Sequence, residues 1–336
     1  MHKLFIINFF LLHFSVFAQN KQIENVVFEG AGIRGIAYAG AIEELEKQNI
    51  LQNVKKVGGT SAGAITALMI ALGYNAQEIT GIISKTNFAK FNDGSYFFAG
   101  GLSRIKNYFG WYRGKRFEQC LGDLIYAKTG DADMTFLQLK NSGFKDIYVT
   151  GTSLNRQQLI VFSHEYFPNM KVKDAVRISM SIPLYFEAVF IDSAGRVVKH
   201  PKNKNDLDVM VDGGFIANFP IHLFDSTKYI YPELPNKFFV NDRTIGFRID
   251  RNEQIQNDSS AKGLAAMPVT NFKEYINAFY VLVLENLNRQ TLSKQDWQRT
   301  VSISDANISP RIRKLSKEEV STLINNGRNA TVNYLK

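Results

Sequence analysis

The stretch IENVVFEGAGIRGIAYAGAIEELEKQNILQNVKKVGGTSAGAITALMIAL, residues 23–72, decides the fold class. Ile23 to Phe28 is a short apolar run that predicts a strand, and it leads straight into Gly30-Ala31-Gly32-Ile33-Arg34-Gly35. Ile36 to Gln48 then places Ala39, Ile42 and Leu45 at helical spacing and collects Glu43, Glu44 and Glu46 elsewhere, which predicts an amphipathic helix. Val54 to Gly58 is a second short strand, and Ala62 to Leu72 a helix of mostly small residues. Strand, helix, strand and helix at this spacing call for crossover units and a mostly parallel sheet covered on both faces. The fold class is α/β.

Outward from this core, further strands are expected at Ile147 to Ser153, Gln158 to Ser163, Val209 to Val211 and Thr244 to Ile249, with a long helix over Phe272 to Leu292. Ser316-Lys317-Glu318-Glu319 has the pattern of a capping box, so a last helix is expected from Lys317. Asp192 to Asp208 and Asn252 to Pro268 are polar and read as loops. No repeat or long linker divides the chain.

The N-terminus differs from the rest. His2 and Lys3 precede an uncharged run from Leu4 to Phe17 that ends in Val16-Phe17-Ala18, the layout of a secretory signal peptide cut after Ala18. A run of fourteen residues falls short of the ~20 that cross a bilayer. Residues 1–18 are therefore expected to be a signal peptide and 19–336 one domain, exported to the periplasm or the exterior. The lone cysteine, Cys120, excludes an internal disulfide framework or a cysteine metal site. With 40 Lys+Arg against 31 Asp+Glu the net charge is +9, which favours anionic surfaces. The positive residues are scattered and form no nucleic-acid stripe.

Two glycine motifs carry the chemistry. Gly30-x-Gly32-x-x-Gly35 satisfies the dinucleotide fingerprint, but the second strand ends Val57-Gly58-Gly59 without the carboxylate that would hold a ribose. No cofactor is expected. The loop still offers backbone N–H groups at a helix start, where negative charge is favoured, and Arg34 either aids an anion or braces the turn. The second motif, Gly59-Thr60-Ser61-Ala62-Gly63 between strand and helix, has the spacing that exposes a nucleophilic serine on a tight turn.

A serine needs a base. Asp212 ends the apolar run Val209-Met210-Val211 and precedes Gly213-Gly214, and His222 follows it within Pro220-Ile221-His222-Leu223-Phe224. From the residues alone the base stays open between the two, and an Asp-Gly turn or a structural histidine would explain either.

Four blocks, in order, resemble the patatin-like phospholipase family. They are Gly30-Ala31-Gly32-Ile33-Arg34-Gly35, Gly59-Thr60-Ser61-Ala62-Gly63, the Ala/Ser-rich segment from Ala175 to Phe186, and Val211-Asp212-Gly213-Gly214 running to Pro220. The resemblance covers about Ile23 to about Ile221. It implies a three-layer α/β/α sandwich and a lipid acyl hydrolase of the phospholipase A or lysophospholipase type. It also implies a Ser61–Asp212 dyad that works without histidine or metal, and an oxyanion loop formed by Gly30, Gly32, Ile33, Arg34 and Gly35. Ala31 stands where many members have a further glycine. The expected substrate is a phospholipid or another acyl ester, met in peripheral association with an anionic membrane. A carboxylesterase with a Ser61–Asp–His222 triad, or a non-catalytic lipid-binding protein on the same fold, are the rival readings.

Residues 88–117 interleave ten aromatic rings with Lys and Arg. Such a mixture suits a lipid–water interface, and part of Ser95 to Trp111 is a candidate lid; equally, the rings could pack beneath a helix that starts near Gly114.

Overall fold

A computed structural model describes residues 22–94, 98–230, 235–260, 262–289 and 292–336. The expected signal peptide lies outside these residues. Among them, the strands are β1 (Asn25–Phe28), β2 (Lys56–Gly59), β3 (Gly110–Tyr112), β4 (Asp146–Ser153), β5 (Gln158–Phe162), β6 (Leu184–Phe186), β7 (Val189–Ile191), β8 (Asp208–Asp212), β9 (Thr244–Asp250) and β10 (Thr300–Ser304). The main sheet has the order β10-β9-β1-β2-β4-β8-β7, with β5 also paired to β4. From β10 to β4 all neighbours are parallel, whereas β5, β7 and β8 pair antiparallel. Strands β3 and β6 form a separate two-stranded parallel sheet.

Successive side chains of a strand point to opposite faces, and here both faces are buried. Val26, Phe28, Ile147 and Val149 enter the large core under the helices, while Val27 and Tyr148 meet Phe224 on the other side. That is the expected α/β/α layering, with one thick helical layer. The other is slim, made of short helical turns such as Ile221–Phe224 and Gly214–Ala217.

The thick layer is closed by the C-terminal helix Lys317–Leu335, capped as expected by Ser316 and Glu319. It crosses the helix Tyr38–Lys47 backbone to backbone. A Cβ at Gly40 would stand 1.8 Å from the Ile324 carbonyl oxygen, and one at Gly327 would stand 1.9 Å from that of Ala37. Ala37 ends the 3₁₀ turn Gly32–Ala37, so the last helix buttresses the glycine loop itself.

Several expectations shift. The first helix becomes α-helical only at Tyr38, because the glycine loop winds directly into the 3₁₀ turn. The polar stretch after Asn252 is no simple loop but begins with the helix Asn252–Ser259. Strand β10, Thr-Val-Ser-Ile-Ser, went unread because only Val301 and Ile303 mark it as apolar. The helix from Phe272 runs to Arg289, and residues 290–291 of the expected span lie outside the described ones. Of the candidate lid, residues 95–97 also lie outside; the rest is the helix Phe98–Tyr108 and β3. Phe91 and Phe117 are core residues, whereas Leu102 and Phe109 are exposed.

Candidate active site

Ser61 links β2 to the helix Ala62–Ala71 with φ 54° and ψ −122°, a backbone state that costs a residue with a side chain about 1–3 kcal/mol. The turn is held by close backbone approach. A Cβ at Gly59 would stand 2.3 Å from the Gly63 carbonyl oxygen, and one at Gly63 would stand 2.3 Å from that of Phe28 in β1. This crowding is the mechanical reason for glycine on both sides of the serine. The Ser61 N–H donates to Ser179 Oγ at 2.8 Å, and Thr60 Oγ1 donates to the Ala217 carbonyl at 2.7 Å. Ser61 is 5% exposed.

Sheet register delivers Asp212 to the same place. Val149 of β4 pairs with Gly59, and Gly151, two residues on, pairs with Asp212 of the antiparallel β8. Ser61 is also two residues past Gly59, so the carboxylate comes level with the serine. Its backbone N–H is tied to the Ser181 carbonyl at 3.0 Å. Its side chain is buried and accepts the Gly214 N–H at 2.8 Å, and the Ser61 side chain lies close enough to pull its pKa down. The Ser61 hydroxyl donates to Met180 Sδ at 3.3 Å, a weak acceptor beside a carboxylate, so it is free to turn to Asp212.

Burial pushes the Asp212 carboxyl up from 3.8 to about 7, against the pull of the Gly214 N–H and the nearby Ser61 hydroxyl. That suits a general base, whose best value lies near the working pH. Because the raised value keeps Asp212 protonated in acid, kcat/KM for an ester should fall tenfold per pH unit below about 7 and level off above it. A pH–rate profile with its acid limb near 4 would contradict this.

The glycine loop is clamped from two sides. The Gly30 N–H donates to the Asn218 carbonyl at 3.0 Å, and Asn218 Nδ2 returns a bond to the Gly30 carbonyl at 3.0 Å. Arg34 braces the turn through the Ala31 carbonyl at 3.2 Å and Asp305 at 2.9 Å. The Ile33 N–H is occupied by the Pro310 carbonyl at 3.1 Å, and the Arg34 N–H reaches the Ala31 carbonyl at 3.3 Å. Among the described residues no acceptor takes the Ala31 or Gly32 N–H. The free donors therefore sit at Ala31 and Gly32, while the amides of Ile33 and Arg34 in the expected oxyanion loop are already taken.

The family model described as patatin-like phospholipase matches residues 26–225, a span that holds the glycine loop, the serine turn and Asp212. The chain belongs to the patatin-like phospholipase family. An uncharacterized protein of Acanthamoeba polyphaga mimivirus is 30% identical over 256 residues, covering 76% of this chain and 74% of its own. YqhO of Bacillus subtilis is 36% identical, covering 60% of this chain and 67% of its own. A protein named probable lipid hydrolase, from Invertebrate iridescent virus 6, is 22% identical, covering 60% and 63%. Among solved structures, VipD from Legionella pneumophila superposes with a TM-score of 0.55 at 13% identity, covering 94% of this chain and 67% of that one. The ExoU–SpcU complex of Pseudomonas aeruginosa gives 0.50 at 18%, covering 94% and 51%. These superpositions speak for the fold. As a patatin-like phospholipase, the chain is a lipid ester hydrolase.

Beside the serine of this patatin-like hydrolase lies a narrow apolar cavity walled by Ile36, Ile65, Met69, Phe91, Phe117 and Met180. It runs behind Ala62 and has the character of an acyl-chain slot. A larger cavity of ≈ 970 Å³, near Arg243, Arg299 and Tyr334, holds neither Ser61 nor Asp212.

His222 is not brought to Ser61. Its Nδ1 lies 2.8 Å from Asp225 Oδ2. Asp225 accepts the N–H of Asn241, whose carbonyl in turn accepts that of Thr244, and Asp225 also bonds Arg299. Thr244 and Thr300 begin β9 and β10, so this cluster sits at the opposite end of the parallel strands from Ser61. Ligand atoms of His222, Asp225 and Asp296 lie within 4.8 Å of one another, and Arg299 already bonds both carboxylates.

Three site residues were not singled out from the sequence: Ser179, Met180 and Asn218. All lie inside the quoted blocks, but nothing in their spacing marks them, because each acts through tertiary contact.

Proposed function

We propose that this hydrolase cleaves acyl esters of phospholipids or lysophospholipids through a Ser61–Asp212 dyad and an acyl-enzyme intermediate. The observation that carries the reading is the buried Asp212 carboxyl, raised to about 7 and brought level with Ser61 by the register of β2, β4 and β8. As Ser61 Oγ attacks the ester carbonyl, Asp212 accepts its proton, and the carbonyl oxygen gains negative charge opposite the free Ala31 and Gly32 amides. Collapse of that adduct expels the alcohol, which takes the proton from Asp212 and leaves the acyl group on Ser61 with its tail in the apolar slot. Water then enters and adds to the acyl carbonyl as Asp212 takes its proton; the bond to Ser61 Oγ breaks, Oγ takes that proton back from Asp212, and the fatty acid is released.

Mass spectrometry of products from mixed lipids, wild type beside Ser61→Ala, tests the reading. Turnover untouched by that change would sink it. The rival triad is tested by His222→Ala, which should retain most activity, since His222 bonds Asp225 at the opposite end of the parallel strands from Ser61 and is out of reach of its proton. A loss comparable to that of Ser61→Ala would restore the triad.

Two further parts of the reading rest on the sequence. The basic balance of +9 supports work at an anionic lipid surface. The pattern of residues 1–18 supports export, for which N-terminal sequencing of the protein from culture medium and periplasm is the test.

A further inference from the structure

The helix Phe272–Arg289 carries a stripe that the chemistry above does not use. Phe272 is 78% exposed, Tyr275 55%, Phe279 58% and Leu282 52%. Their offsets of three, seven and ten residues place all four on one helical face. Val269, just before the helix, is 50% exposed. Large apolar side chains concentrated in this way mark an interaction surface. No helix among the described residues is long and apolar enough to cross a membrane, so the stripe belongs to a helix that lies along its partner.

Position and charge say which partner. The helix packs on Gly214–Ala217, which begins two residues after Asp212. Its inner face, through Val281 and Glu285, lines a cleft with Arg34 of the glycine loop and with Pro310 and Arg311. Arg311 is exposed, and among the described residues no carboxylate pairs with it. An apolar stripe and an unpaired cation therefore lie on the glycine-loop side of an enzyme whose substrate is a lipid ester, at a cleft that reaches Arg34 but holds neither Ser61 nor Asp212.

We infer that the exposed face of Phe272–Leu282 docks in the plane of an anionic phospholipid surface, aromatic rings among the acyl chains, with Arg311 at the phosphate level. Docking of this kind combines apolar burial with attraction to anionic lipid. It would present a single lipid to the cleft beside the glycine loop. The inference rests on the lipid-hydrolase reading and specifies where that enzyme meets its substrate.

The test separates binding from turnover. Ser61→Ala protein, alone and combined with Phe272→Ser/Phe279→Ser or with Arg311→Glu, is sedimented with vesicles of phosphatidylcholine and with vesicles that also contain phosphatidylglycerol. The double serine change should weaken binding to both by about tenfold or more, and Arg311→Glu should remove most of the preference for phosphatidylglycerol. In the background that keeps Ser61, the double change should slow vesicle hydrolysis while leaving a soluble short-chain ester unaffected. Unchanged vesicle binding by the double variant would overturn the inference. So would a shift in oligomeric state on size exclusion, which would assign the stripe to a second copy of the chain. Absence of ester turnover by the wild type would count against the dyad, not against the surface, because binding is read on the Ser61→Ala protein.

Discussion

Asp212→Asn should lower kcat by about 10³-fold or more, and Ser61→Ala by at least as much. The two changes together should cost no more than the worse one alone, because residues that act as a unit lose their effect once. Asparagine keeps an oxygen for the Gly214 N–H, so the site's shape survives while its proton acceptor does not. The same substitution has a signature in stability. The folded-state value of Asp212 is raised from 3.8 to about 7, so the neutral carboxyl's contribution is full below about 4 and is lost as pH rises through 7. The Asn variant lacks this titration. Its melting temperature relative to wild type should therefore rise between pH 5 and pH 9. Parallel melts together with the rate assay check both halves, and a flat difference would mean that Asp212 does not titrate as a buried carboxyl.

Gly32→Ala should be nearly as damaging to activity without touching either dyad member. Gly32 has φ +57°, where a β-carbon is strained, and that carbon would stand 2.2 Å from the Pro310 carbonyl oxygen. Backbone cannot yield as a flexible side chain can. The loop would have to turn, and the Ala31 and Gly32 amides would lose their aim. One misdirected donor costs about 10²–10³ in kcat. The expected result is a loss of that size in kcat with KM changed little, and a protein that still melts cooperatively. A Gly32→Ala enzyme with near-normal kcat would place the oxyanion elsewhere.

How much of this was readable beforehand follows from the range of each interaction. The first two strands and helices announce themselves because their periodicity is local, and the serine turn because its glycines are required within two residues of Ser61. The dyad was half legible. Asp212 stood out at the end of β8, yet its choice over His222 came only from the family resemblance, since register across β4 is invisible in a linear pattern. Which amides of the glycine loop stay free could not be read, because what occupies Ile33 is Pro310, far along the chain. Strand β10 and the helix at Asn252 were missed for a simpler reason: their composition is largely polar, and neighbours rather than propensity order them.

The crossing of Gly40 with Gly327 bears on where this enzyme can be cut. The family match stops at residue 225, which invites a shortened protein ending there. Such a fragment would retain Ser61 and Asp212 and still forfeit β9, which pairs with all four residues of β1. It would also forfeit β10 and the helix whose backbone rests on Ala37 and Gly40. Such a fragment is expected not to fold on its own, because the residues after 225 are the back wall against which the glycine loop is set.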